Sequence, residues 1–307
     1  MKVYYSLDQF PVLKKTIVTI GNFDGVHLGH IHVLESLVNQ YTDEFESVVI
    51  TFWPHPRKVL DPNSFTLQFL TSIEEKITLI ERIGISHLLI LPFNIEMGEM
   101  SANEFVEQIL IKSVGSKKIV LGYDHRFGKD RVGGLDFLLQ NNSKYNLILE
   151  EIPVKEVENI EISSSKIKTF LKSGKISEAN SLLGRNYSVT GRVGEGKKLG
   201  RTIGFPTANI QLDFPEKLVP GIGVYAVKIH IDNEIYKGMM NIGHRPTISG
   251  DHLTLEVNIF EFNRDIYGEK LSIEFVEFLR NEQKFASLDL LKLQLNQDMI
   301  LALKILQ

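Results

Sequence analysis

The chain of 307 residues contains no cysteine. Disulfides, thiolate zinc sites and a cysteine nucleophile are therefore excluded. Long apolar runs are also missing, and none approaches the roughly 18 residues that a membrane-spanning helix needs. The opening stretch MKVYYSLDQFPVLKK has no continuous apolar core, so a signal peptide is not expected. A strong positive charge is absent as well. The formal net charge is -4 and the pI is near 6.2, which argues against a protein that binds nucleic acid by bulk charge. A local basic pocket for a phosphorylated small molecule remains open. Low-complexity segments and internal repeats are not evident. The expectation is a soluble, cytoplasmic protein with no nucleic-acid or membrane partner. The sequence leaves its oligomeric state open.

What is present is ordinary globular composition, 43% hydrophobic and 23% charged, enough to build a sizeable core. The length suggests about two domains. In the first half, short apolar runs at 16–21, 47–52, 86–93, 117–122 and 146–152 alternate with helical patterns at 28–40, 72–83, 102–114 and 134–143. The runs are rich in Val, Ile and Leu at every position, as strands buried on both faces are. Ser101 and Glu104 have the spacing of a capping box. This alternation predicts an α/β domain with a parallel sheet. Ligands bind such sheets at the carboxyl ends of their strands. Polar segments at 21–30, 51–56 and 121–128 all follow predicted strands.

After about residue 184 the rhythm changes to apolar–polar alternation broken by Gly, Pro and Asn turns. The segments 186–193, 223–231, 234–243, 253–262 and 271–279 read as antiparallel strands of a small barrel or sandwich. A leucine-rich helix closes the chain, and its apolar stripe is read as packing. The junction is a helical stretch, 164–183, ending at Gly184. The expected domains are 1–183 and 184–307.

The most concentrated chemistry is GNFDGVHLGH, residues 21–30. Gly21 and Gly25 permit tight turns and close backbone approach. The following helix opens near His27, and its free N–H groups favour an anion. His27 and His30 share one helical face, and Gly29 between them leaves room for a phosphate or a purine. Two other readings stand beside this one: half of a zinc site, for which a third ligand is not evident, and a turn with idle histidines. In ISSSKIK, residues 162–168, serine hydroxyls with Lys166 and Lys168 at a helix start can hold a triphosphate. An ordinary serine cap with solvated lysines explains the same residues. The stretch 191–209 is rich in glycine and basic residues and nearly matches a Walker A loop. Lys198 stands where that loop needs Ser or Thr, and the β-rich context is wrong for it. A glycine-rich flap over ATP phosphates, with charge from Lys197, Lys198 and Arg201, fits better.

The decapeptide resembles the His-x-Gly-His signature of the nucleotidyltransferases. The flanking sequence is similar to their flavin branch, the bacterial bifunctional riboflavin kinase/FMN adenylyltransferases. The segments 51–56, 121–134, 162–168, 200–210, 241–247 and 255–262 follow in the family's order, so the resemblance covers nearly the whole chain. It implies a Rossmann-like α/β nucleotidyltransferase domain, then a mainly antiparallel β-barrel flavokinase domain with a C-terminal helix. The implied reactions are phosphorylation of riboflavin by ATP to FMN, and adenylylation of FMN to FAD with loss of pyrophosphate. A kinase with a degenerate first half, and a non-catalytic flavin or nucleotide binder, are the other readings.

By the resemblance, His27 and His30 serve the ATP phosphates of the adenylyltransferase. Gly21, Phe23, Asp24, Gly29, Asp124, Ser164, Ser165, Lys166 and Lys168 bind its substrates. The family pattern carries arginines where this chain has Lys166 and Lys168, a threonine where it has Ser165, and, apart from that segment, an aromatic where it has His125. In the kinase, Glu256 is the implied base, and Thr207 and Asn209 the implied Mg2+ ligands. Gly194, Gly196, Lys197, Gly200, Arg201, Phe205 and Arg280 are the implied nucleotide or flavin contacts.

Overall fold

A computed structural model describes residues 1–40, 45–61, 66–157, 160–195, 200, 203–247 and 250–307. The chain divides into two compact units, Met1–Ser164 and Ser165–Gln307.

The first unit holds β1 (Lys2–Tyr4), β2 (Thr16–Ile20), α1 (Leu28–Asn39), β3 (Glu46–Trp53), α2 (Pro56–Leu60), α3 (Ile73–Glu81), β4 (His87–Pro92) and α4 (Ile95–Glu99). There follow α5 (Ala102–Glu104), which runs on as a π-helix over Phe105–Ser113, then β5 (Ser116–Gly122), α6 (Leu135–Gln140), α7 (Asn142–Tyr145) and β6 (Ile148–Ile152). The unit ends in a short antiparallel pair, β7 (Glu156–Val157) and β8 (Ile160–Glu161).

Strands β1 to β6 form one sheet in the order β1-β4-β3-β2-β5-β6, with every neighbouring pair parallel. Side-chain alternation divides its core. Val18, Ile20, Val48, Ile50, Leu89 and Leu121 face the layer that contains Phe105, Val106, Ile109 and Leu110. Ile17, Val49, Leu88, Ile90 and Val120 face Leu34 and Leu37 of α1 and Ile80 of α3. Both faces are covered, which is why the strands read as continuous apolar runs. The strand order reverses between β2 and β5. The carboxyl ends of those two strands therefore flank the switch-point crevice where open α/β sheets bind ligands.

Three details differ from the expectation. The chain's second to fourth residues add an edge strand, β1, to β4. The helix expected over 102–114 begins with the Ser101–Glu104 capping box but then widens to π geometry. The helix expected over 134–143 is two short helices meeting at Asn141.

The second unit includes most of α8 (Ser164–Lys172), then α9 (Ile176–Leu183). Gly184, left-handed at φ 71°, caps α9, a conformation that glycine adopts without a Cβ clash. Then come β9 (Tyr187–Gly194), β10 (Ala208–Leu212), β11 (Gly223–Ile231), β12 (Glu234–Thr247), β13 (Gly250–Ile259), β14 (Lys270–Arg280) and α10 (Leu288–Ile305). The strands close into a barrel in the order β10-β13-β12-β11-β14-β9, all neighbours antiparallel. In β9, buried Tyr187, Val189, Gly191 and Val193 alternate with more exposed residues, the period-two signal of a strand with one face inward.

Helix α10 corrects the reading of its apolar stripe. Ala302 and Leu306 are buried, and Leu295, Met299 and Ile305 pack against the same cluster. Leu288, Leu290, Leu293, Ile300, Leu301 and Leu303 are exposed. Only one edge of the stripe packs, and the most buried polar residue on that edge is Asp298.

Candidate active sites

In the first unit, β2 ends at Ile20 and α1 starts at Leu28, so residues 21–27 form the turn between them. The turn is bent tightly. Phe23 and Val26 have φ of 46° and 40°, and Gly25 has φ of 92°. Positive φ at non-glycine residues is strained and persists only where the surroundings enforce it. Asp24 is one source of that enforcement. Its Oδ1 accepts hydrogen bonds from the backbone N–H groups of Leu70 and Thr71, at 2.8 and 3.3 Å. Gly25 N–H donates to Thr71 Oγ1 at 3.1 Å, and Ser164 Oγ donates to the Asp24 carbonyl at 2.8 Å. Asp24, expected at the phosphates, thus has one carboxylate oxygen engaged in holding the turn.

His27 is the N-cap of α1, and its Nδ1 accepts from His30 N–H at 3.2 Å. That bond leaves the neutral imidazole protonated at Nε2, a donor for an anion. The His27 and His30 rings are stacked, with centroids 3.5 Å apart and planes 16° apart. Phe23 packs edge-on against His30 at 5.3 Å. A Cβ on Gly29 would sit 3.3 Å from the His27 ring, and one on Gly21 would sit 2.9 Å from the Phe23 ring. The two glycines keep the rings and the backbone in close contact.

Asp124 and His125 follow β5, on the other side of the crevice. Asp124 is exposed. His125 has its Nε2 buried without a partner among the described residues, and desolvation lowers its pKa to about 4. The ring is therefore neutral at pH 7, a flat group stacked 6.1 Å from Phe127. Ser164 belongs to the first unit, whereas Ser165, Lys166 and Lys168 fall in the second. Ser165 and Lys166 are exposed and Lys168 is half-buried, all on α8. Among the described residues no three His, Cys, Asp or Glu side chains gather as a metal cluster.

In the second unit a cavity of about 340 Å³ opens beside the barrel, a volume within the small-molecule range. Gly200, Phe205, Thr207, Asn209, Glu256 and Arg280 all line it. Strand register explains the convergence. Asn209 on β10 pairs with Glu256 on β13, and Asn241 on β12 pairs with the same glutamate. Residues opposite one another on one face of a sheet project together. Asn258, 6% exposed, donates from Nδ2 to the Pro206 carbonyl at 2.6 Å, which fixes the segment carrying Thr207. A Cβ on Gly200 would lie 2.2 Å from the Phe205 carbonyl oxygen, so only glycine fits there. Gly194 ends β9 and does not line the cavity. Gly196, Lys197, Lys198 and Arg201 lie outside the described residues.

Arg280 lines the cavity but is committed to α10. Its Nε is 3.0 Å from both oxygens of Asp298, and its Nη2 is 2.7 Å from Oδ2. Gln294 Nε2 adds a bond to Asp298 Oδ1 at 2.9 Å. Sequence reasoning missed Asn241, Glu282 and Asp298. Asn241 lies inside the 241–247 segment that carried the resemblance. Asp298 was hidden among leucines, and its isolation in an apolar stripe was the available signal.

Residues 10–166 match the family model described as FAD synthetase, and residues 183–306 match the one described as riboflavin kinase. The bifunctional riboflavin kinase/FMN adenylyltransferase of Pseudomonas fluorescens is 36% identical over 294 residues, covering 95% of this chain and 93% of its own. The protein of that name from Buchnera aphidicola subsp. Schizaphis graminum is 40% identical over 287 residues, covering 92% and 91%. A crystal structure of a protein named macrolide-efflux protein from Streptococcus pneumoniae has a TM-score of 0.90 at 32% identity, covering 98% of each chain. Among the described residues of this chain, no helix is long and apolar enough to cross a membrane.

Proposed function

This chain belongs to the family of bifunctional riboflavin kinase/FMN adenylyltransferases, and on that premise we propose that it converts riboflavin to FMN and FMN to FAD. ATP is the phosphoryl donor in the first step and the adenylyl donor in the second, which releases pyrophosphate. Neither a kinase with an inactive first half nor a non-catalytic binder is favoured. The chemistry suits a cytoplasmic enzyme acting on small molecules.

In the first unit the nucleophile is the FMN phosphate, which is anionic at neutral pH and needs no general base. The protein's task is to position it and to stabilise charge at the α-phosphate of ATP. His27 Nδ1 accepts the His30 backbone N–H, which leaves the proton of the neutral ring on Nε2, and the stacked His30 adds a second imidazole. The N-terminus of α1, capped at one N–H by His27, lies beside them. Asp124 and His125, across the crevice, bound the space for the base or the flavin.

The riboflavin hydroxyl, by contrast, carries a proton, so a carboxylate base helps. Glu256 is that base. Thr207 and Asn209 are neutral oxygen donors lining the same cavity. An oxygen-only donor set suits Mg2+, which keeps waters and phosphate oxygens in its shell. Bound there, the ion would neutralise charge on the ATP phosphates.

The observation that carries this reading is the convergence of Thr207, Asn209 and Glu256 on one cavity, alongside stacked histidines at a switch point. Purified protein is given riboflavin, ATP and magnesium, and the flavins are separated over time. FMN should appear first and FAD after it. A reaction that stops at FMN removes the adenylyltransferase assignment, and no turnover removes both.

A further inference from the structure

Lys76 on α3 is 3% exposed. Among the described residues its ammonium makes one hydrogen bond, a long one of 3.5 Å to Thr51 Oγ1. The indole ring of Trp53 lies 6.0 Å away. An ammonium has three protons to donate, and one long bond is a poor replacement for water. Desolvation draws its pKa down to about 8, while the charge of Asp24 draws it back up. At neutral pH it is still mainly a cation. A buried cation so thinly partnered disfavours folding, and an apolar side chain of similar length would not.

The surroundings say what the charge is for. Thr51 and Trp53 sit on the α3-facing side at the carboxyl end of β3. The Thr51 hydroxyl also reaches the Asn22 carbonyl oxygen at 3.4 Å. Asn22 Oδ1 is buried with no partner among the described residues. Lys76 is therefore linked by one hydroxyl to the backbone of the strained turn, and by charge to the aspartate that braces it. Ile20 and Gly21 are bound to β3 by sheet pairing, but the turn beyond them has no ladder to hold it.

We propose that Lys76 is a positioning residue for adenylyl transfer: a buried cation that holds Asn22 and Asp24 so that His27 and His30 stay aimed at the phosphates. The proposal rests on the adenylyltransferase reading of the first unit. The bland alternative is a lysine stem that merely fills space under α3. The two differ in what removal of the charge does to FAD formation, because Met keeps the bulk of the stem in either case.

The test uses full-length Lys76→Met protein supplied with FMN, ATP and magnesium. The expected result is a fall of roughly 10- to 100-fold in kcat for FAD formation. KM for ATP should stay within about threefold, because the positioned groups act on the reacting phosphate rather than on general binding. Tm should be unchanged or higher, and riboflavin phosphorylation should be intact. Thr51→Val keeps the charge and cuts the hydroxyl link, so it should lower kcat in the same direction. It decides the matter by the same readouts if Lys76→Met does not fold. Wild-type kcat, or a lowered Tm with both activities reduced, overturns the proposal. His27→Ala run in parallel separates the two levels. If that variant also makes FAD normally, the adenylyltransferase reading has failed rather than the role of Lys76.

Discussion

Arg280 and Asp298 form an ion pair whose side chains are 19% and 4% exposed. The pair ties the end of β14 to α10 at the wall of the kinase cavity. Removing one member of a buried pair leaves the other without compensation. Asp298→Ala should therefore destabilise the second unit by about 3 kcal/mol or more, read by calorimetry as a lowered transition for that unit. Lys76 gives a pH signature of the opposite kind. Its folded pKa of about 8 lies below the ordinary lysine value of 10.5, so the unfolded chain binds more protons between those values. Stability should rise with pH from about 8 to 10.5 and be lost again as pH falls through 8. The full span is about 3 kcal/mol for a shift of this size. Urea unfolding of the first unit across that range should show the slope, and Lys76→Met should flatten it. Nothing in the local sequence announces this lysine. It follows Glu74 and Glu75 and reads as part of a solvated helix face. Its burial is a product of where α3 packs on the sheet.

Helix α1 works as a unit with the turn before it, and Gly29 is the point where the two touch. Ala in place of Gly favours a helix by about 1 kcal/mol. The added Cβ would lie 3.3 Å from the His27 ring, closer than the stacked pair comfortably allows. Gly29→Ala should thus keep or raise Tm while lowering FAD formation by about tenfold or more through ring displacement. Steady-state rates beside a thermal melt check both halves of that statement. At this scale much was legible in the sequence. Val- and Ile-rich runs marked β2, β3, β4 and β5 because both faces of each are covered. The capping box at Ser101 marked a helix start. What followed it was not legible, since π geometry over Phe105–Ser113 arises in packing and leaves no local residue signature. The stripe on α10 shows the same limit. Periodicity identifies a helix, but only the barrel decides which edge is covered, and it chose the edge bearing Asp298.

Across the whole molecule, two compact units carry two different solutions to phosphate chemistry. In the proposed function, the first would use imidazoles and a helix N-terminus for a nucleophile already charged. The second places a carboxylate beside neutral oxygens in one cavity, and in the proposed function these would serve a nucleophile that must lose a proton. The histidine turn of the first unit is contiguous in sequence, residues 21–30, so its motif was readable as chemistry before any fold was known. The second is assembled from residues between Gly200 and Leu295 by barrel register. Glu256 could be read locally only as one more outward strand position. Its partners Asn209 and Asn241 meet it through pairings between distant strands, which no local pattern encodes.

The assignment of one reaction to each unit is tested most directly by crossing two variants with two substrates. His27→Ala and Glu256→Ala proteins are each given riboflavin or FMN, with ATP and magnesium, and the flavins are separated. His27→Ala should stop at FMN, with FAD formation reduced about 100-fold or more. Glu256→Ala should lose riboflavin phosphorylation by roughly 10²- to 10⁴-fold yet still turn supplied FMN into FAD. If either substitution, in folded protein, removed both activities, the assignment of separate sites would be contradicted.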